Sequence, residues 1–180
     1  MRSIFLVLTI AGLWGHTYAC KREGPPTVEQ SFKGAAVIVS GKVLSKDLVS
    51  VAETMNADKA GYVKEKLKAD KGKLEFFESG FIYKIQLEIR ENYKGGITRD
   101  ILTIFTTITS GSCGFKFDVG RSYLVYASKR SSIYFPFLDS SENNGQFEKE
   151  NTFWTNHCSR TTEYYSKSEI DELRRLKQEQ

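Results

Sequence analysis

The chain has few of the residues from which most catalytic sites are built. Of its 180 residues, 3 are cysteine, 2 are histidine and 3 are proline. No two cysteines are spaced Cys-x-x-Cys, which argues against a dithiol redox centre or a zinc knuckle. With His16 and His157 as the whole histidine complement, a three-histidine zinc site is excluded. No glycine-rich phosphate loop occurs, and Glu88, Glu91 and Asp118 show no spacing that suggests a paired acid and base. The sequence is therefore read as non-enzymatic, with no cofactor of its own. Its formal charge is only +4 and the two signs are interspersed, so no basic stripe marks a nucleic-acid partner. No apolar run is long enough to span a bilayer as a helix.

What is present begins with a leader. Arg2 is followed by an apolar run from Ile4 to Trp14, and Thr17-Tyr18-Ala19 places small residues at the two positions that a signal peptidase reads. Residues 1–19 are thus read as a signal peptide, and 20–180 as one secreted, extracellular domain that begins at Cys20. His157 is then the only imidazole left, and Cys20, Cys113 and Cys158 are the cysteines of the mature chain. In an oxidising compartment three cysteines form one disulfide and leave one thiol over. A terminal cysteine has three uses: half of a disulfide, a lipid anchor, or a metal-chelating amino terminus. A lipid anchor at Cys20 would place the protein in the periplasm or outer membrane. Tyr18 fits the small-residue pattern before a lipidated cysteine poorly.

Along the chain, Thr27 and Gln30 have capping-box spacing and predict a short helix from Thr27 to Lys33. Val37, Val39, Gly41 and Val43 alternate with Ile38, Lys42 and Leu44 as a first strand. Residues 45–74 are polar and lysine-rich, and are read as a long insertion outside the core. Phe81 to Tyr93, Ile101 to Ile108, Ser122 to Ala127 and Gln146 to Asn156 read as four further strands. Asn92 to Gly96 forms a turn. Ser166 or Ser168 caps a last helix, Glu169 to Lys177, whose Ile170, Leu173 and Leu176 share a face. A mainly β fold follows, with a short helix before the first strand and another after the last. A five-stranded OB-fold barrel is the natural way to remove its sheet edges.

Four stretches resemble the inhibitory, netrin-like domain of the tissue inhibitors of metalloproteinases. They are Cys20 with Pro25-Pro26, the segment Glu29 to Val43, the strand Tyr83 to Gly95, and Ser110-Gly111-Ser112-Cys113-Gly114 followed by Tyr123 to Ala127. The resemblance implies a divergent metalloprotease inhibitor. In that family the α-amino group and carbonyl of the first cysteine bind the catalytic zinc of the target protease and displace its water. Carried over, Cys20 is the zinc-directed residue, and Lys21 and Arg22 follow it into the wedge that contacts the protease. Gly111, Ser112 and Cys113 form the second contact segment.

The same resemblance implies a Cys20–Cys113 disulfide. It closes a loop of about 94 residues, worth at most ~4–5 kcal/mol in the chain-entropy model, and leaves Cys158 as the remaining thiol. Three positions depart from the family. Arg22 stands where a second cysteine is usual, and Lys33 where vertebrate members have a cysteine. Lys21 replaces the small hydroxyl residue that enters the specificity pocket. The runner-up reading is a netrin-like binding module without inhibitory activity, either secreted or lipid-anchored.

Overall fold

The structure is a computed structural model that describes residues 26–108, 113–129 and 152–180. The chain enters through helix α1, Val28–Gly34, and the capping box is fully formed. The Thr27 hydroxyl accepts from the Gln30 amide, and the Gln30 side chain accepts from the Thr27 amide, each at 3.1 Å. Strand β1, Val37–Ser50, leads through a single 3₁₀ turn to helices α2, Ala57–Leu67, and α3, Lys71–Glu78. Strands β2, Gly80–Lys94, β3, Ile101–Thr107, β4, Ser122–Ala127, and β5, Thr152–Trp154, follow, and helix α4, Lys167–Gln178, ends the chain.

The five strands form one sheet in the order β4-β1-β2-β3-β5. All neighbours are antiparallel except β3 and β5. Irregularities at four points of the β1–β2 ladder, including Ser40/Gly41 and Val43/Ser45, bend and twist the two long strands. The sheet therefore curls into a half-barrel. Its outer strands meet just beyond β4, where the Ser128 and Trp154 amides each donate to the other's carbonyl, at 2.9 and 2.8 Å.

Curling gives the sheet two packed faces. Inside the curl lie Val37, Val39, Ile85, Leu87, Ile104, Phe117 and Val125. On the outer face, Ile38, Tyr93, Leu124 and Tyr126 pack against Val28 and Phe32 of α1 and Ile170, Leu173 and Leu176 of α4. The predicted docking face of the last helix is thus the observed one. Its N-cap is Ser166, whose hydroxyl accepts from the Glu169 amide.

Residues 45–74 are not outside the core, contrary to the sequence reading. Residues 45–50 continue β1, and the helices that follow build a second core. Val49, Val51, Met55, Val63, Leu67 and Phe77 meet Ile82, Phe105 and Trp154 there. The lysines that suggested a solvated excursion lie on the outer faces of α2 and α3. Lys64 pairs with Glu78, Lys68 with Glu65 and Lys73 with Asp70. Asn56 and Asp70 cap the two helices. At the last strand, only Thr152–Trp154 is seen within the expected Gln146–Asn156, and 146–151 lie outside the described residues. Its parallel pairing with β3 has no local sequence signature.

Helix α4 is also pinned to β2 electrostatically. Arg174 Nε and Nη2 donate to Glu91 Oε1 and Oε2, both at 2.9 Å, and Tyr93 donates to the same carboxylate at 3.0 Å. The Arg174 fork holds the Glu91 carboxyl below its ordinary pKa. A depressed folded-state pKa adds stability that is fully present above the unfolded value, about 4.3. That stability is lost as pH falls through the folded one. Because the side chains are 52% and 38% exposed, screening keeps the contribution to about 1 kcal/mol or less. Glu91→Gln is expected to destabilise slightly at pH 7 and to have no effect at pH 2, checked by urea unfolding at both. An equal loss at both pH values would mean that the ion pair is not the source.

Candidate functional site

Two chain segments converge on a third, which carries His157 and Cys158. The third is the loop 155–160 between β5 and α4. It begins at Thr155, whose amide donates to the Phe105 carbonyl at 3.0 Å, so the loop grows directly from the sheet. Asn156 Oδ1 accepts from the Cys158 and Ser159 amides, each at 2.9 Å. This side-chain turn is one that asparagine forms readily. It fixes the direction in which His157 and Cys158 leave the sheet.

On one side of this loop lies Cys113. Its carbonyl accepts from the His157 amide at 2.7 Å, which brings the backbone of Cys113 against the residue next to Cys158. Cys113 has φ +57°, a left-handed conformation unusual for a residue with a side chain. The next residue explains how the turn is held. A Cβ at Gly114 would overlap the Thr107 carbonyl oxygen, so only glycine allows this close an approach. The Phe115 amide then donates to Thr106 Oγ1 at 2.8 Å. The turn carrying Cys113 is thereby fastened to the end of β3.

On the other side lies Pro26, the first described residue. Arg160 Nη1 donates to its carbonyl at 2.7 Å, and Arg160 Nε donates to Glu169 Oε1 at 2.6 Å. Tyr126 also donates to Glu169 Oε1, at 2.8 Å. Glu169 is 8% exposed and Tyr126 2%, so this is a buried, charge-assisted cluster whose members satisfy one another. Burial, with Glu169 beside it, pushes the Tyr126 phenol well above its usual range. The hydrogen bond to Glu169 raises the Arg160 guanidinium further. Both stay protonated at any physiological pH. Thr155 and Thr161 donate to the Tyr126 carbonyl at 3.0 and 3.1 Å, tying the loop to β4. Between α1, β4 and the loop a cleft of about 230 Å³ remains, lined among others by Pro26, Ser31, Tyr126, Cys158 and Arg160.

Of the residues named from the sequence, Cys113 and Cys158 therefore belong to one corner of the molecule. Cys20, Lys21, Arg22, Gly111 and Ser112 lie outside the described residues. Pro26 is six residues after Cys20, and an extended segment of that length reaches about 20 Å. Cys158 lines the same cleft as Pro26. The sequence reading missed Arg160, Glu169 and Tyr126. Ser166-x-x-Glu169 was legible as a helix start, but nothing local announced that the carboxylate turns toward Arg160.

Among the described residues no group of three or more His, Cys, Asp and Glu side chains is placed to hold a metal ion. No helix among them is long and apolar enough to cross a membrane. No protein-family model matches the chain, and no curated protein matches it significantly.

Proposed function

We propose that the chain is a secreted metalloprotease-inhibitor-like protein on a netrin-like OB-fold, acting through the amino terminus of the mature chain at Cys20. The fold reading is supported by the order β4-β1-β2-β3-β5, the parallel β3–β5 pair and the Ser128–Trp154 link between the outer strands. These are the connections that a partly open five-stranded barrel needs. The observation that carries the functional reading is the meeting of Cys113, Cys158 and Pro26 on the 155–160 loop. A bond from Cys20 to either cysteine would hold the mature terminus at this corner. The resemblance points to Cys113. Cys158, expected as the leftover thiol, is instead disulfide-bonded; it lines the cleft beside Pro26 and is a second candidate for the anchor.

In this reading the Cys20 amine, deprotonated, and its carbonyl occupy the open coordination position of the zinc in a target endopeptidase. They displace the water on which that enzyme's chemistry depends. An α-amino group titrates near pH 8, so the neutral amine is accessible at physiological pH. The zinc belongs to the partner. Lys21 and Arg22 follow into the protease cleft, and Gly111 and Ser112 supply the second contact.

Lys21 favours a second reading, a netrin-like module that binds another extracellular protein or an envelope component without inhibiting a protease. A lysine entering an apolar specificity pocket must desolvate or bend away its charge. The two readings separate on one substitution. Lys21→Thr in the mature protein is expected to tighten inhibition of a matrix-type zinc endopeptidase by about 10-fold or more, equivalent to ~1.4 kcal/mol. Inhibition constants measured across a protease panel check this. No inhibition by either form would remove the inhibitor reading and leave the binding module.

A further inference from the structure

We propose that the outer edge of β1 over residues 44–48 is a docking site for an extended peptide segment of another protein. The segment adds to the sheet as an antiparallel strand and places a basic residue opposite Asp47.

The edge opens because β1 outruns its neighbour. Strand β4 covers β1 only from Val37 to Lys42, and the last bonds across that seam join Val43 to Arg121 and Gly120. In that half the odd residues of β1 face β4. The irregularity between Val43 and Ser45 adds one residue and reverses the phase. In β2 the odd residues face β3, since the Ile89 amide donates to the Asp100 carbonyl and the Ile108 amide to that of Phe81. Its even residues Ile82, Lys84 and Gln86 therefore face β1, opposite Val49, Asp47 and Ser45. Lys46 and Leu48 are left with N–H and C=O groups that point away from the sheet. The Ser50 amide points the same way and donates to Glu53 Oε1 at 3.2 Å. Among the described residues the Lys46 and Leu48 backbone groups have no such partner on that side.

Exposed edges are commonly blunted by a charged side chain, lysine above all. Here the lysine is turned inward. The Lys46 ammonium donates to the Phe117 carbonyl at 3.0 Å and lies 4.2 Å from the centre of the Tyr83 ring. Apolar side chains surround the open edge instead. Leu44 is 42% exposed and Leu48 55%. Val119, 59% exposed, precedes the Gly120 amide that donates to the Val43 carbonyl at 2.8 Å. Singly, exposed residues of this kind are ordinary. Three of them around unpaired backbone groups make a surface on which a strand can pack.

The chemistry of the occupant follows from Asp47. It is exposed, and its one polar contact among the described residues is the Ser45 hydroxyl, which donates to Oδ2 at 3.1 Å. A strand bonded to Lys46 and Leu48 sets its middle residue opposite Asp47 in a non-hydrogen-bonded pair, the closer kind. An opposite charge there stabilises and a like charge repels. The two flanking residues fall on the face shared by Leu48 and Tyr83, which suits apolar side chains. The segment thus reads apolar-basic-apolar. In strand addition the main-chain bonds give affinity and the alternate side chains give specificity. A second copy of this chain fits the edge less well. Pairing centred on Asp47 opposes two carboxylates, and pairing centred on Lys46 opposes two lysines. Pairing centred on Leu48 runs Lys46 against Ser50, whose amide is already taken.

The test is a ¹⁵N-HSQC titration of the mature protein with a short, terminally blocked peptide, Gly-Ser-Thr-Val-Arg-Val-Thr-Ser-Gly. One control peptide carries Glu in place of Arg, and another is N-methylated at both valines, whose amides would bond to the edge. The Lys46 and Leu48 amides are expected to shift most with the first peptide. The Glu peptide is expected to bind about 10-fold more weakly, and the N-methylated one not at all. Asp47→Lys is expected to reverse the order of the Arg and Glu peptides. Shifts that spare Lys46 and Leu48, equal binding of the Arg and Glu peptides, or retained binding of the N-methylated peptide each overturn the proposal. Self-association that shifts the same two amides without peptide overturns it in favour of a second copy. Should Asp47→Lys fail to fold, the three peptides on wild type still decide. None of these readouts depends on Cys20, so the edge is judged apart from the inhibitor reading.

Discussion

A mature protein carrying one extra alanine ahead of Cys20 is expected to lose protease inhibition by more than about 100-fold, or ~2.7 kcal/mol, while its fold is unchanged. The extension converts the Cys20 amine into a peptide nitrogen, which is not basic and does not bind zinc as a neutral amine does. It leaves the Cys20 side chain and the rest of the fold unchanged in composition. An inhibitor that acted by steric occlusion alone would tolerate one added residue far better. Inhibition constants for the two forms, with thermal unfolding to show that both are folded, check the expectation. Equal inhibition would place the contact elsewhere on the surface.

Gly114→Ala is expected to be the most damaging single-methyl substitution near the site. The new Cβ would overlap the Thr107 carbonyl oxygen, and the clash is with backbone, which cannot rotate away. Overpacking of this kind costs typically 1–3 kcal/mol and more where nothing gives. About 3 kcal/mol is a reasonable expectation, a fall in Tm of roughly 6–12 °C for a domain of this size. The local consequence matters as much. Relief requires the 113–115 segment to lift from β3, which breaks the Phe115 amide to Thr106 bond and moves Cys113 away from His157. Gly34→Ala is a suitable control, since a Cβ there meets nothing within 4 Å. Differential scanning calorimetry of the two variants makes the comparison, and similar midpoints would contradict the close approach at Gly114.

The parts of the fold that were legible in the sequence are those governed by local rules. The Thr27–Gln30 cap, the alternation through Tyr83, Ile85 and Leu87, and the Ile170–Leu173–Leu176 face each report a period or a spacing that a few residues settle. Residues 45–74 misled because lysine count was weighed above apolar spacing. Val63 and Leu67 are four apart, Leu74 and Phe77 three, and those intervals mark buried helix faces whatever the outer faces carry. The parallel partner of β3 was illegible because pairing over such a separation leaves no local trace. The same is true of the site. Cys113 and Cys158 were visible as residues, but their placement at one corner depends on a backbone hydrogen bond from His157 to Cys113. Arg160 and Glu169 depend on the packing of α4, which no short motif encodes.

The account turns on Cys20 as a free, anchored terminus. Mass spectrometry of the natively secreted protein, intact and after peptide mapping without reduction, tests this most directly. The account predicts a mature chain beginning at Cys20, with an unmodified α-amino group and its sulfur joined to Cys113 or Cys158. An acylated Cys20, processing at any other position, or a Cys113–Cys158 bond would contradict it, because each removes either the zinc-binding amine or the bond that holds it in place.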